Sequence, residues 1–244
     1  MKKAAFLFFR VEVGNAACAV QYLVVVQTML VRCPKNLDFT VFQKVSLSNL
    51  IFLLTGVYML YYPNFTSLTT MIRDGKLDMY LVKPVAAQFL VTMQRLDLSL
   101  LVPDAAAGII MIGIGWHRAG LPVTVGSIAG FGFFLICGAL LTYSLFLLPH
   151  LLVFWTTATN GIADLTAAVW DFNNMPQLIY GKWMQRIGTF LLPVFVITNF
   201  PGLFLMGELS VPMAVWGVAA PIVFFLIARA VWNQAVKNYT SAST

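Results

Sequence analysis

Charge is scarce in this chain, with 15 basic and nine acidic residues, so the places where it gathers carry information. Ile72 to Pro84 reads I-R-D-G-K-L-D-M-Y-L-V-K-P, with long apolar sequence on either side. Arg73, Asp74, Lys76, Asp78 and Lys83 offer ion pairing and surface docking, and none is a nucleophile. Gly75 permits a sharp turn at no steric cost. Lys76 to Val82 has the length of about two helical turns, with Leu77, Tyr80 and Leu81 at the i, i+3, i+4 spacing of one apolar face. Pro84 pushes the residue before it out of the α region and stops the helix. The spacing predicts a short, charged, amphipathic helix within 72–84. It is either an ordinary loop that holds two membrane spans in orientation or a docking element for a soluble partner.

The second set of groups is carboxylates in apolar surroundings. Gln94, Asp97, Leu101 and Asp104 follow the three-to-four spacing of one helix face, and Asp164 lies inside a later apolar run. Acids at membrane depth are costly and face a bundle interior or a wet cavity. They could line a path for a cationic or polar substrate, relay protons, or pair with Arg95 and polar groups on neighbouring helices. Other chemistry is missing. No G-x-x-x-x-G-K-[ST] phosphate loop occurs, so the chain does not hydrolyse ATP by that route. No H-E-x-x-H is present, the two histidines are isolated, and no G-x-S-x-G elbow appears. The sequence therefore predicts no catalytic residue, no metal site and no cofactor of its own. Cys18, Cys33 and Cys137 form no C-x-x-C pair and no disulfide framework. Gly126 and Gly130 make a G-x-x-x-G, most simply a close helix contact.

The elements that carry these groups are membrane helices. Hydrophobic residues make up 60% and charged residues 10% of the 244-residue chain, and the mean hydropathy is +0.84. Soluble domains run at roughly 45–50% and 25%. The apolar residues are continuous rather than alternating, which argues against a β-barrel. The predicted fold is all-α, with residues 1–244 forming one transmembrane domain of six spans: 13–31, 45–62, 86–116, 123–148, 151–170 and 211–229. The third is read as one long helix from Val85 to Trp116 whose first part projects into the cytosol. Pro149-His150 is the expected turn between the fourth and fifth. In 171–207, Pro176, Pro193 and Pro201 punctuate pieces too short to cross, the pattern of a re-entrant helical hairpin. The opening segment is read as an uncleaved stretch near the inner membrane face. Placing both termini inside puts nine basic residues in the cytoplasm and six outside, as the positive-inside rule favours. The net charge of +6 belongs to span ends, where it meets anionic lipid headgroups rather than nucleic acid.

Taken together, Ile72-Arg73-Asp74-Gly75-Lys76-Leu77-Asp78 and Leu81-Val82-Lys83-Pro84 resemble the signature of type-2 ABC transporter permeases. The likeness is strongest to the bacterial exporter branch of viologen and multidrug efflux permeases. Phe154-Trp155, Met175-Pro176, Ile179-Tyr180, Leu192-Pro193 and Phe200-Pro201 extend the likeness over nearly the whole chain. Lys83 and Lys76 stand where the pattern more often has Arg and Glu, and its short glycine-rich C-terminal ending is absent. The resemblance implies a six-span permease of the bacterial inner membrane that dimerises with itself or a sister permease. It would recruit two separate ATPase subunits, which bind the ATP and Mg. Arg73, Asp74, Gly75, Lys76, Leu77, Asp78, Lys83 and Pro84 would form the coupling helix on the ATPase, and 171–207 would cap the outer end of the path. The cargo would be a drug-like, amphipathic or lipophilic compound moved outward. The rival reading is a stand-alone secondary transporter with proton relays at Asp104 and Asp164.

Overall fold

A computed structural model of the chain describes residues 50–84, 86–94, scattered positions between 102 and 117, 122–156, 159–173, 177 and 180–239. The first expected span, Asp97, Asp104 and Pro176 lie outside the described residues. All regular structure among the described residues is helical. In chain order it comprises α1 (Leu50–Arg73), α2 (Asp78–Leu81), α3 (Ala87–Thr92), α4 (Val125–Leu151), α5 (Thr159–Asn173), α6 (Lys182–Arg186), α7 (Val194–Leu205) and α8 (Val211–Asn238). A 3-10 turn, Leu152–Phe154, extends α4, and a π-helical turn, Ile187–Leu191, extends α6.

Two prolines expected to end helices do not. The second span was expected to stop at Tyr62, yet α1 runs through Pro63 to Arg73. Proline removes one backbone donor and crowds the preceding turn, and the turn that follows it carries side-chain bonds to the Pro63 carbonyl. The Ser67 hydroxyl donates to the Pro63 carbonyl at 2.7 Å, and Thr66 Oγ1 donates to the same oxygen at 3.0 Å. The polar look of Pro63–Thr70 thus reflects hydroxyls satisfied inside a helix. Likewise α4 continues through Pro149 and His150, and the chain turns only at Trp155. His150 is buried between the rings of Tyr62 and Phe65, and its Nδ1 lies 2.8 Å from the Phe146 carbonyl. Burying those rings favours continuing the helix over turning at the proline.

The long third helix, in contrast, is interrupted. α3 ends at Met93 (φ −118°), and the backbone bends at Gln94; described positions among 102–117 are helical. Polar side chains compete with the helix here. Thr92 Oγ1 donates to the Gln88 carbonyl at 2.8 Å, and Gln94 Nε2 donates to Tyr80 Oη at 2.6 Å.

By length and composition, Val125–Phe154 and Val211–Asn238 are each able to cross a membrane. Lys182–Leu191 and Val194–Leu205 qualify only as a pair and meet at 97°. The described residues therefore hold two full-length spans, or three with the bent pair, where five of the six expected spans fall wholly or partly. α5 has 15 residues, about 22 Å at 1.5 Å per residue, short of the bilayer core. α8 in turn outruns its expected end at Arg229 by nine residues, to Asn238.

The helices close on aromatic contacts. Tyr58 of α1 stacks on Trp170 of α5 at 4.1 Å, and Phe146 of α4 meets Tyr58 edge-on at 4.8 Å. At the opposite end of α4, Gly130 leaves the space that the Phe204 ring of α7 fills, while its motif partner Gly126 faces open space. On α8, a Cβ at Gly217 would lie 2.6 Å from the Phe200 ring and 3.0 Å from that of Phe134. These glycines let α4, α7 and α8 approach closely, as small residues do in membrane bundles.

Candidate functional site

The charged connector is built from a defined helix end. Gly75 takes φ +69°, Lys76 N–H donates to the Met71 carbonyl at 2.9 Å, and Gly75 N–H donates to Ile72 at 3.3 Å. That pair of bonds is a Schellman stop, in which glycine supplies the left-handed residue. Lys76 accordingly sits in the turn. The expected two-turn helix from Lys76 to Val82 is a single turn, Asp78–Leu81, with Val82 as its C-cap.

The apolar face foreseen for this helix is present. Leu77 is 0% exposed, and Tyr80 and Leu81 are half-buried against the core. Around this anchor Asp74 accepts from Lys76 Nζ at 3.2 Å and lies 3.7 Å from Arg73 Nε. All three side chains are open to solvent, so their pairing adds little stability. The Lys83 ammonium lies 5.0 Å from the centre of the Tyr80 ring, and Lys83 and Pro84 are exposed. Asp78 turns the other way. It is half-buried, and its carboxylate acts on Tyr239 at the end of α8. Burial pushes the Tyr239 phenol above its ordinary range, and Asp78 adds to that shift.

Two residues absent from the sequence-based set complete the surface. Met79 is 64% exposed and Val82 85% exposed, one helical turn apart. They form an exposed apolar ridge beside the buried Leu77, and Arg73, Lys76 and Lys83 are exposed in the same segment. Their spacing was visible in the sequence, but Leu77, Tyr80 and Leu81 drew attention to the face that is buried.

Directly after the connector, α3 is tied to the bundle. Gln88 Nε2 donates to Tyr143 Oη of α4 at 3.3 Å, and Arg229 Nη1 of α8 donates to Gln88 Oε1 at 2.8 Å. Gln88 thereby joins α3 to both α4 and α8.

Three further expected residues are described. Asp164 is exposed on α5. Pro193 precedes the first turn of α7 at the 97° break, and Pro201 is buried within α7. Trp216 of α8 braces the segment before that break, with Nε1 donating to the Thr189 carbonyl at 2.8 Å. Among the described residues no group of histidine, cysteine or carboxylate side chains is placed to hold a metal.

No curated protein and no solved structure matches the chain significantly. A family model described as ABC-2 family transporter protein matches residues 16–243, nearly the whole sequence. That match and the apolar helices agree, and the chain belongs to the ABC-2 transporter family as the membrane-spanning permease of an ABC transporter.

Proposed function

We propose that the chain is the permease subunit of an ATP-driven exporter and that 72–84 is its coupling element, seated in a cleft of a separate ATPase subunit. The observation that carries this is the Met79–Val82 ridge, an exposed apolar pair in a segment rich in basic residues, next to the buried Leu77. A buried apolar centre inside a polar rim is the anatomy of a protein contact. Arg73, Lys76, Lys83 and Pro84 make up the rim, while Asp74 and Asp78 orient it.

In this reading two such permeases, identical or sister chains, form the path. ATP and Mg bind the partner subunits, whose closure pushes the connectors and repacks the spans through the Gln88 hydrogen bonds. The bent pair at Pro193 caps the outer end, both termini are cytoplasmic, and the chain resides in a bacterial inner membrane. The cargo is an amphipathic or lipophilic compound of the kind moved by viologen and multidrug efflux permeases.

Everted membrane vesicles containing the chain and its ATPase test the energy source. Uptake of a lipophilic dye should require ATP and persist when a protonophore collapses the proton gradient. Asp164→Asn should alter that uptake by about twofold at most, the scale of an exposed substitution. Uptake that follows the proton gradient and is abolished by Asp164→Asn would overturn the proposal.

A further inference from the structure

A cavity of about 500 Å³ lies beside α3, lined by side chains of α1, α3, α4 and α8. Phe89, Met93, Ile136, Leu140 and Phe225 make it mostly apolar. Its polar end is Gln88, 4% exposed and hydrogen-bonded to both Tyr143 and Arg229. Tyr143, also on the wall, has its Oη 3.1 Å from Thr92 Oγ1 behind it. Arg229 is thus held at the cavity by a neutral partner. The Arg229 side chain is otherwise exposed at the edge of the cavity.

The place of Arg229 along its helix matters as well. Val211 to Ala228 carries no charge, a stretch of about 27 Å against a hydrocarbon core of about 30 Å. Arg229 is the first charge beyond it and falls at headgroup level. Ile222 and Leu226, on the same helix, are exposed apolar residues suited to acyl chains.

We propose that this cavity binds an anionic phospholipid of the surrounding bilayer, with its phosphate on Arg229 and one acyl chain between Phe89, Ile136, Leu140 and Phe225. The guanidinium offers five donors in a rigid fork that matches phosphate geometry. Gln88 accepts from one of its nitrogens and fixes its direction, which leaves donors for a phosphate. The volume is within the roughly 300–1,000 Å³ of small-molecule sites, and the apolar walls suit a hydrocarbon chain. The site joins α3, the first helix after the connector, to α4 and α8, so an occupied cavity stiffens the link between connector and bundle.

The test uses the full chain in nanodiscs of equal phosphatidylglycerol and phosphatidylcholine, extracted into detergent, with retained lipid counted by native mass spectrometry. The parent should keep phosphatidylglycerol in preference to phosphatidylcholine. Arg229→Gln should lower its occupancy about tenfold or more, as loss of a charge-assisted contact does, and Arg229→Lys should restore part of it. Ala139→Trp, which fills the cavity from its wall and leaves Arg229 in place, should also expel the lipid. It decides the matter if Arg229→Gln does not fold. Equal retention of the two lipids by the parent overturns the proposal, as does unchanged phosphatidylglycerol retention in both Arg229→Gln and Ala139→Trp. Release of the bound lipid by ATP and the partner ATPase also overturns it, because the occupant would then be cargo.

Discussion

Met79→Asp combined with Val82→Asp should weaken the permease–ATPase complex at least about tenfold, because truncating a buried contact at an interface centre costs about 2 kcal/mol or more. Both side chains project from the protein in the permease alone, so the substitution removes no internal packing. The thermal stability of the isolated chain should consequently stay within about 0.5 kcal/mol of the parent. The two carboxylates would have to enter an apolar cleft, where an unpaired charge is strongly penalised. Transport and ATPase stimulation should fall together as a result. A titration of purified ATPase against the detergent-solubilised chain measures the affinity, and a melting curve on the same sample measures the fold. Unchanged affinity would leave the ridge without a function.

Leu77→Ala should produce the opposite division of effects. Leu77 is fully buried behind the ridge, and emptying such a position costs about 2–5 kcal/mol. The loss falls on the connector, which is anchored by this side chain, by the half-buried Tyr80 and Leu81, and by the Gln94–Tyr80 hydrogen bond. Hydrogen exchange over 74–82 should accelerate towards that of an open loop, while exchange in α4 and α8 stays slow. ATP-driven transport should drop because a loose ridge no longer transmits a push. Leu77→Met, which keeps the volume, should cost less than about 1.5 kcal/mol and retain most activity. If Leu77→Ala leaves both exchange and transport unchanged, the anchor has been misassigned.

The two substitutions separate contact from support, and the sequence disclosed only the support. Gly75, the charges around it and the Leu77–Tyr80–Leu81 face were legible because turn chemistry and helical spacing are local. The outward direction of Met79 and Val82 was not, since spacing defines faces and only tertiary packing says which one is covered. Proline misled at Pro63 and Pro149 for a related reason. In a bilayer the alternatives to a helix are unsatisfied backbone groups, and nearby hydroxyls or buried rings hold a proline turn in place. Conversely, the break at Met93–Gln94 carries neither glycine nor proline. Thr92 and Gln94 beside it bond Tyr143 and Tyr80, partners that a linear reading does not bring together. The link from Gln88 to Arg229 spans 141 positions and was invisible on the same ground. The membrane class, by contrast, was written in composition alone. The bend at Pro193 fell within the segment where prolines crowd an apolar run, although its 97° angle could not be read from spacing.

The central claim is that the connector touches an ATPase subunit through its exposed ridge. It is tested most directly by placing a photoreactive maleimide on Val82→Cys in a chain carrying Cys18→Ser, Cys33→Ser and Cys137→Ser. Irradiation of native membranes should join the chain to a nucleotide-binding subunit. The same label on Trp183→Cys, an exposed position on α6 away from the connector, should not. Failure of Val82→Cys to capture a nucleotide-binding subunit, or equal capture from both positions, would contradict the coupling assignment.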